Sequence, residues 1–493
     1  MIHKSIVLRS LMLKSEIASD VQVELRLVPG LPGIRFLGLP DQSLRESETR
    51  IRSALRASGY QFPKGRMLLV DILPRDGKKH GRGLDLPVSV GFLLLTGQLE
   101  LKDWDKKIFY GDVSLAGKIS APFDWLRACL FSDRPMITGQ AAIADVSSES
   151  ASRRLKEIAA GRVEMVRTLN NFRLEEVALA LLASSEAQSL EAPSAQRKFQ
   201  ALNTHLKFTP LTAKIAAIAA AGFHPTLLAG PQGSGKSTLA RVIHFLRPGV
   251  MEGELRELEL WSGKGERPLL EPHHSASIIS MVGGGSPVRP GIVTKAHLGS
   301  LLMDEVLLFK PEVQESLREP LETGKVCLAR GTENKTLPAD FLLLGTTNLC
   351  QCGRWTPDQP DSCSCSSRVR SVHEGKLRGP FVDRFQLLVF TSNWNPSSGD
   401  IKLEELAARV DRAHHFQRQF GRNGNRRWQP SDADLRNLMW IPKSGSERRR
   451  LAVLRVARTV ADLDLREDLK EEDLRFAAGI ALDTFQALQN EGR

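Results

Sequence analysis

No apolar run in this 493-residue sequence is long enough to cross a bilayer. The nearest, Leu86 to Gly97, falls well short of the roughly 20 residues that a spanning helix needs. The N-terminus, Met1-Ile2-His3-Lys4, has its apolar residues interrupted by Arg9 and Lys14, and it lacks the h-region and small-residue cleavage site of a secretory leader. Cysteine is scarce. There are six, four of them between Cys350 and Cys365, a distribution that fits reduced thiols or a metal site better than a disulfide framework. A cytosolic protein without membrane contact is therefore expected. A surplus of acid is lacking too. The net charge of +11 favours polyanionic partners such as nucleic acid. The composition, 41% apolar and 25% charged, is that of a globular protein, and the length suits about two to four domains.

The stretch Gly230-Pro231-Gln232-Gly233-Ser234-Gly235-Lys236-Ser237-Thr238 contains the G-x-x-x-x-G-K-[ST] pattern of a phosphate-binding loop. Thr226 to Ala229 before it reads as a buried strand, and Ser237 to Ile243 after it as a helix. Glycines let the backbone turn its N–H groups toward phosphate oxygens at a helix N-terminus. Lys236 is placed to reach the β- and γ-phosphates, and the Ser237 hydroxyl to ligate Mg²⁺. Some seventy residues on, Ser300-Leu301-Leu302-Met303-Asp304-Glu305 is an apolar strand ending in two carboxylates. Asp304 suits Mg²⁺ through its water shell, and Glu305 suits polarising the attacking water. ATP and Mg²⁺ are the expected cofactors.

Other stretches carry weaker signals. Val21 to Leu27 and Met67 to Ile72 read as strands, Ser43 to Ser58 and Leu86 to Leu95 as helices. Glu312 to Glu322 is expected to be a helix, with Val313, Leu317 and Leu321 on one face. Lys325 to Leu337 reads as a hairpin. Gly283-Gly284-Gly285 reads as a flexible insertion. The adjacent His273-His274 favour loop contacts over a metal site. Cys350, Cys352, Cys363 and Cys365 form a C-x-C…C-x-C cluster that either closes a tetrahedral Zn²⁺ site or supplies four reduced thiols. Arginines between Arg409 and Arg458, including Arg418, Arg422, Arg426 and Arg427, form either a basic face for nucleic acid or a solvated helical face.

Several of these stretches resemble one family. Leu31-Pro32-Gly33, Gly38-Leu39-Pro40, Val70-Asp71-Ile72-Leu73-Pro74, Leu84-Asp85-Leu86-Pro87 and Gly111-Asp112-Val113-Ser114-Leu115-Ala116-Gly117 are similar to the front domain of the ComM (YifB) proteins, magnesium-chelatase-like AAA+ ATPases. So are Pro272-His273-His274-Ser275-Ala276-Ser277, Arg378-Gly379-Pro380-Phe381-Val382-Asp383-Arg384-Phe385 and the helix after Ser446-Glu447-Arg448. The resemblance implies a multidomain α/β chain. It would comprise a Lon-protease-like α+β domain (1–180), a linker (181–199), an AAA+ P-loop domain with a parallel sheet (200–395) and a C-terminal helical lid (396–493). The Lon-like domain is expected to be non-catalytic, because Ser89 and Lys118 sit in no glycine-framed Ser–Lys motif.

The resemblance also implies roles. Asn348 would hold the γ-phosphate or attacking water, although this chain has Leu349 where the family usually has proline. Arg384 would enter a neighbour's ATP site in a homo-hexameric ring. Arg448 would couple the lid to the γ-phosphate of its own chain. Gly283 to Gly285 and the hairpin would face the ring's pore, where Arg330 and Lys335 contact nucleic acid. The implied activity is Mg²⁺-dependent ATP hydrolysis driving branch migration on single-stranded or branched DNA. The alternatives are protein remodelling and a metal-chelatase accessory role.

Overall fold

The computed structural model describes residues 5–14, 17–37, 42–74, 82–122, 124–139, 163–170, 206–263, 265–285, 288–330, 333–355, 363–377, 379–391, 401–436 and 446–483. The expected linker at 181–199 lies outside them. The chain divides into two compact units that part after Gln188.

The first unit is built on β1 (Ser5–Lys14), β2 (Ile17–Pro29), β3 (Gly33–Phe36), β4 (Arg66–Leu73), β5 (Ile108–Phe109), β8 (Met136–Gly139) and β9 (Val163–Val166), with the short pair β6 (Asp112–Val113) and β7 (Ile119–Ser120) beside them. The large sheet runs β3-β4-β2-β1-β5-β8-β9 and is mixed. β1, β2 and β4 pair antiparallel, while the remaining pairs are parallel. In β2 the alternation of Val21, Val23 and Leu25 with polar residues sends one set of side chains into the core and the other to solvent. α1 (Gln42–Ala57) and α2 (Asp85–Leu95) pack on this unit, and every residue of α2 is buried. Ser89 is among them, its hydroxyl without a hydrogen-bond partner, whereas Lys118 is exposed. A serine walled into a helix cannot reach a peptide substrate.

The second unit holds a five-stranded parallel sheet, ordered β12-β15-β18-β11-β19, from β11 (Thr226–Ala229), β12 (Leu269–Leu270), β15 (Ser300–Met303), β18 (Leu342–Thr347) and β19 (Leu387–Phe390). These strands are almost wholly apolar and buried, as parallel strands covered on both faces must be. α3 (Pro210–Gly222) is small-residue-rich. It begins with Thr209, whose side chain caps the Thr212 N–H, followed by proline at the first helical position. α3 packs against α4 (Lys236–Leu246), α6 (Leu403–Gln419) and α7 (Glu447–Leu463), so the C-terminal helices share a core with the sheet. Between α4 and α6 in the chain lies α5 (Ser367–Leu377).

Three expectations are corrected. The stretch Glu312 to Glu322 is two short helices, Pro311–Ser316 and Arg318–Thr323. Pro320 cannot donate to Ser316, and its ring would strike that carbonyl, so the helix breaks between them. Gly283-Gly284 is no flexible insertion: it forms β13, paired with β14 (Arg289–Pro290), and both glycines are buried. Their φ angles are 105° and 139°, and a Cβ on Gly283 would lie 2.5 Å from the Arg289 carbonyl oxygen. The glycines are there for fit. The arginine-rich segment is not simply a basic face either. Arg422 pairs with buried Asp462 at 2.6 Å, half-buried Arg426 lies against Asp340 and the Phe341 carbonyl, and Arg427 bonds Asp340 at 2.8 Å. Only Arg418 of the four is on the open surface.

The hairpin is present as β16 (Lys325–Arg330) and β17 (Glu333–Pro338), with Arg330 opposite Glu333 and Lys335 opposite Leu328. The side chain of Arg330 lies outside the described residues. Within the expected helical lid, further helices are described over Asp432–Arg436 and Glu471–Ala478, the latter continuing in a π-helical turn to Asp483.

Candidate nucleotide site

β11 lies between the central strand β18 and the edge strand β19 of the parallel sheet, and runs straight into Gly230. Its neighbours supply the rest. β15 leads into Asp304 and Glu305, and β18 into Asn348. Strand order therefore brings to the C-terminal ends of three adjacent parallel strands three stretches that are far apart in sequence.

Lys236 sits at the start of α4 with its ammonium folded back over the loop. It donates to the carbonyls of Gly230 (3.1 Å) and Pro231 (2.9 Å) and to Asn348 Oδ1 (2.9 Å). Burial lowers its pKa, and Glu305 and Asp304 partly restore it. Gly233 and Gly235 have φ of 80° and 77°, the left-handed turns that expose the loop's N–H groups. Ser234 Oγ is 2.6 Å from Thr391 Oγ1 at the end of β19. Thr238 follows on the first turn of α4.

The Ser237 hydroxyl donates to Asp304 Oδ1 at 2.8 Å. The hydroxyl is thus held beside a carboxylate, and this donor set, a hydroxyl oxygen for direct contact and a carboxylate for the water shell, fits Mg²⁺. Thr346 on β18 fixes both carboxylate residues. Its hydroxyl donates to Asp304 Oδ1 at 2.6 Å and accepts from the Glu305 N–H at 2.9 Å. Glu305 is left-handed, φ 50° and ψ 59°, a conformation costing a non-glycine residue about 1–3 kcal/mol. That turn brings its carboxylate toward β18, where Oε2 accepts the Asn348 N–H at 3.3 Å.

Thr346 carries no motif and was missed. The available signal was a Thr346-Thr347 pair closing an otherwise apolar strand. Gly353 was missed as well: its carbonyl accepts the Gln232 N–H at 2.9 Å.

Arg384 and Arg448 stand apart from this group. Arg448 Nη2 lies 2.9 Å from Glu322 Oε1, and Arg384 Nη2 lies 3.7 Å from the same oxygen. Arg384 also donates to the Pro380 carbonyl at 2.6 Å. Neither contacts the phosphate loop of its own chain, the position the resemblance implies for Arg448. The buried neighbour explains why. Arg449 is anchored to Asp383 (2.8 Å) and to the carbonyls of Phe385 and Val382, which turns Arg448 outward on α7.

The sulfurs of Cys350, Cys352, Cys363 and Cys365 all lie within 4.8 Å of one another, the only such group of potential metal ligands among the described residues. Tetrahedral Zn–S bonds of about 2.3 Å put sulfurs about 3.8 Å apart, and the Cys352–Cys363 separation is 3.7 Å. Hydrogen bonds, first from the backbone of Arg354, lower the Cys352 pKa to about 5, while burial pushes that of Cys363 up to about 12. His273 and His274 stack at 4.0 Å on the surface, and neither is part of such a group.

Residues 209–398 match the model of magnesium chelatase, subunit ChlI, and residues 23–134 match that of subunit ChlI of Mg-chelatase. Competence protein ComM of Haemophilus influenzae is 30% identical over 388 residues, which cover 75% of this chain and 73% of that protein. The chain belongs to the magnesium-chelatase ChlI family. Within this family it is also similar to the uncharacterized protein YifB of Escherichia coli, at 29% identity over 93% of this chain and 94% of that one. The magnesium-chelatase 38 kDa subunit of Acidiphilium rubrum is 26% identical, over 41% of this chain and 57% of the subunit. Family membership implies an ATPase using ATP and Mg²⁺. Its parts are an N-terminal mixed-sheet domain, a parallel α/β domain and C-terminal helices. Among the described residues no helix is long and apolar enough to cross a membrane.

Proposed function

We propose that this ChlI-family ATPase is a homo-hexameric ring motor acting on single-stranded or branched DNA. The observation carrying the ring is the separation of its chemistry. Lys236, Ser237, Asp304, Glu305 and Asn348 converge, while Arg384 and Arg448 meet on Glu322 away from them. A transition state that spreads charge over phosphate oxygens needs a guanidinium, and here an adjoining subunit supplies it. Head-to-tail contacts of that kind close into rings.

Within each site the Ser237 hydroxyl, with Asp304 acting through the water shell, would hold Mg²⁺, which when bound neutralises phosphate charge. Lys236 binds the β- and γ-phosphates, Asn348 orients the attacking water and Glu305 draws its proton. The first unit serves as a non-catalytic, Lon-protease-like module. The four cysteines bind Zn²⁺, supported by sulfur spacing and by N–H groups of Cys352 and Trp355 directed at Cys365 and Cys350 sulfurs.

DNA is supported by the +11 charge, by the β16–β17 hairpin and by the similarity to a competence protein. A chelatase accessory role is supported less, since the 38 kDa subunit matches 41% of this chain against 75% for the ComM relative. The test is fluorescence anisotropy with labelled single-stranded DNA over a salt series. Replacing Arg330 and Lys335 together by Ala is expected to weaken binding about tenfold and to flatten the log K against log salt slope by about 1.4. Absence of DNA binding even at low salt would instead favour a protein remodeller.

A further inference from the structure

We infer that the four-cysteine knuckle positions the phosphate loop, so that zinc in the knuckle and nucleotide in the loop strengthen each other's binding. This rests on the zinc assignment above and goes beyond it in making the metal part of the ATP site.

The connection is short and made of named bonds. β18 ends at Thr347, Asn348 follows, and the knuckle begins two residues later at Cys350. Gly353 lies within it, with φ of 72°, and its N–H is held by the Cys350 carbonyl at 3.1 Å. From there the Gly353 carbonyl accepts the Gln232 N–H, at 2.9 Å, in the middle of the phosphate loop. A Cβ on Gly353 would sit 3.5 Å from Gln232 Cβ and 3.7 Å from the Asn348 amide, so the residue is seated against both. The other arm of the knuckle returns to the same place. α5 starts two residues after Cys365, and His373 Nε2 lies 2.7 Å from the Asn348 carbonyl oxygen.

The two arms are thus tied to the site at Gln232 and at Asn348, and the cysteines tie the arms to each other. Cys352 N–H points at Cys365 Sγ (3.3 Å), joining the first arm to the second. With a metal holding four sulfurs, the Gly353 carbonyl has a fixed position, and Gln232 is fixed with it. The amides from Gly233 onward are then pre-arranged for phosphate, which lowers the ordering cost of binding. Without the metal, the inter-arm contacts named here reduce to the Cys352 N–H on Cys365 Sγ and the Cys352–Cys363 thiol pair. Coupling of this kind is reciprocal: whatever factor zinc adds to nucleotide affinity, nucleotide adds to zinc affinity.

The experiment uses the full chain. Zinc content is measured by mass spectrometry, and the equilibrium partition of zinc between the chain and a competing chromogenic chelator is then measured with and without a saturating non-hydrolysable Mg·ATP analogue. One zinc per chain is expected, with nucleotide raising zinc affinity by about 5- to 150-fold and having no effect in Lys236→Ala. Gly353→Ala keeps all four ligands, so it should retain zinc while losing most of the nucleotide effect. Zinc present but held with the same affinity with and without nucleotide overturns the coupling and leaves the zinc site standing. A chain purified without chelator that holds no zinc overturns both.

Discussion

Lys236→Ala is expected to weaken ATP binding by on the order of 100-fold, the loss that follows from removing a charge-assisted contact of about 3 kcal/mol. The structure gives the residue two tasks. Its ammonium already satisfies the Gly230 and Pro231 carbonyls and Asn348 Oδ1, so it holds the loop in shape. It also places a positive charge over the loop that would receive phosphate. Burial lowers its pKa, but from a starting value of 10.5 and with Glu305 and Asp304 acting in the opposite direction. Alanine removes the charge and takes this donor from three acceptors, of which the Pro231 carbonyl keeps the Ser234 N–H at 3.3 Å. Titration calorimetry with Mg·ATP measures the effect, and a melting curve shows whether the fold survives. Affinity within threefold of the parent would mean that the loop does not grip phosphate through this residue.

Glu305→Gln is expected to act on the other half of the reaction. Glutamine keeps the volume and an oxygen for the Asn348 N–H, so ATP affinity should change less than threefold. It cannot take a proton, and loss of a positioned base slows the chemical step by about 10²- to 10⁴-fold. The strained backbone of Glu305 points the same way. A left-handed glutamate at the end of a buried strand is maintained by the Thr346 hydroxyl on its N–H, an arrangement that fold stability alone does not require. Steady-state phosphate release and ATP affinity, measured on the same preparation, separate the two effects. A variant that turns over at the parent rate would remove Glu305 from the mechanism.

Much of this site was legible before any coordinates. The spacing from Gly230 to Ser237, the apolar strand ahead of it and the carboxylate pair closing a second apolar strand are local patterns with one common physical reading. The buried strands and helices of both units were legible for the same reason, since periodicity reports burial. What could not be read was set by partners distant in sequence. Arg422, Arg426 and Arg427 look like a basic surface until Asp462 and Asp340 are placed beside them. The Arg448 side chain looks bound for its own phosphate until Arg449 is seen to be the buried anchor. The role of Gly353 depends on one carbonyl meeting the Gln232 amide, and backbone bonds leave no trace in residue types. Pro320 is the instructive exception: the break it causes was visible in the sequence, and the apolar spacing around it masked the signal.

What ATP hydrolysis moves decides the function. Three-stranded and forked DNA substrates with one labelled strand, incubated with the full chain, Mg²⁺ and ATP, measure it directly. Strand exchange or displacement is expected with ATP, none with the non-hydrolysable analogue, and none with Glu305→Gln. A chain that hydrolyses ATP at full rate yet leaves every labelled strand in place would contradict the DNA-motor reading.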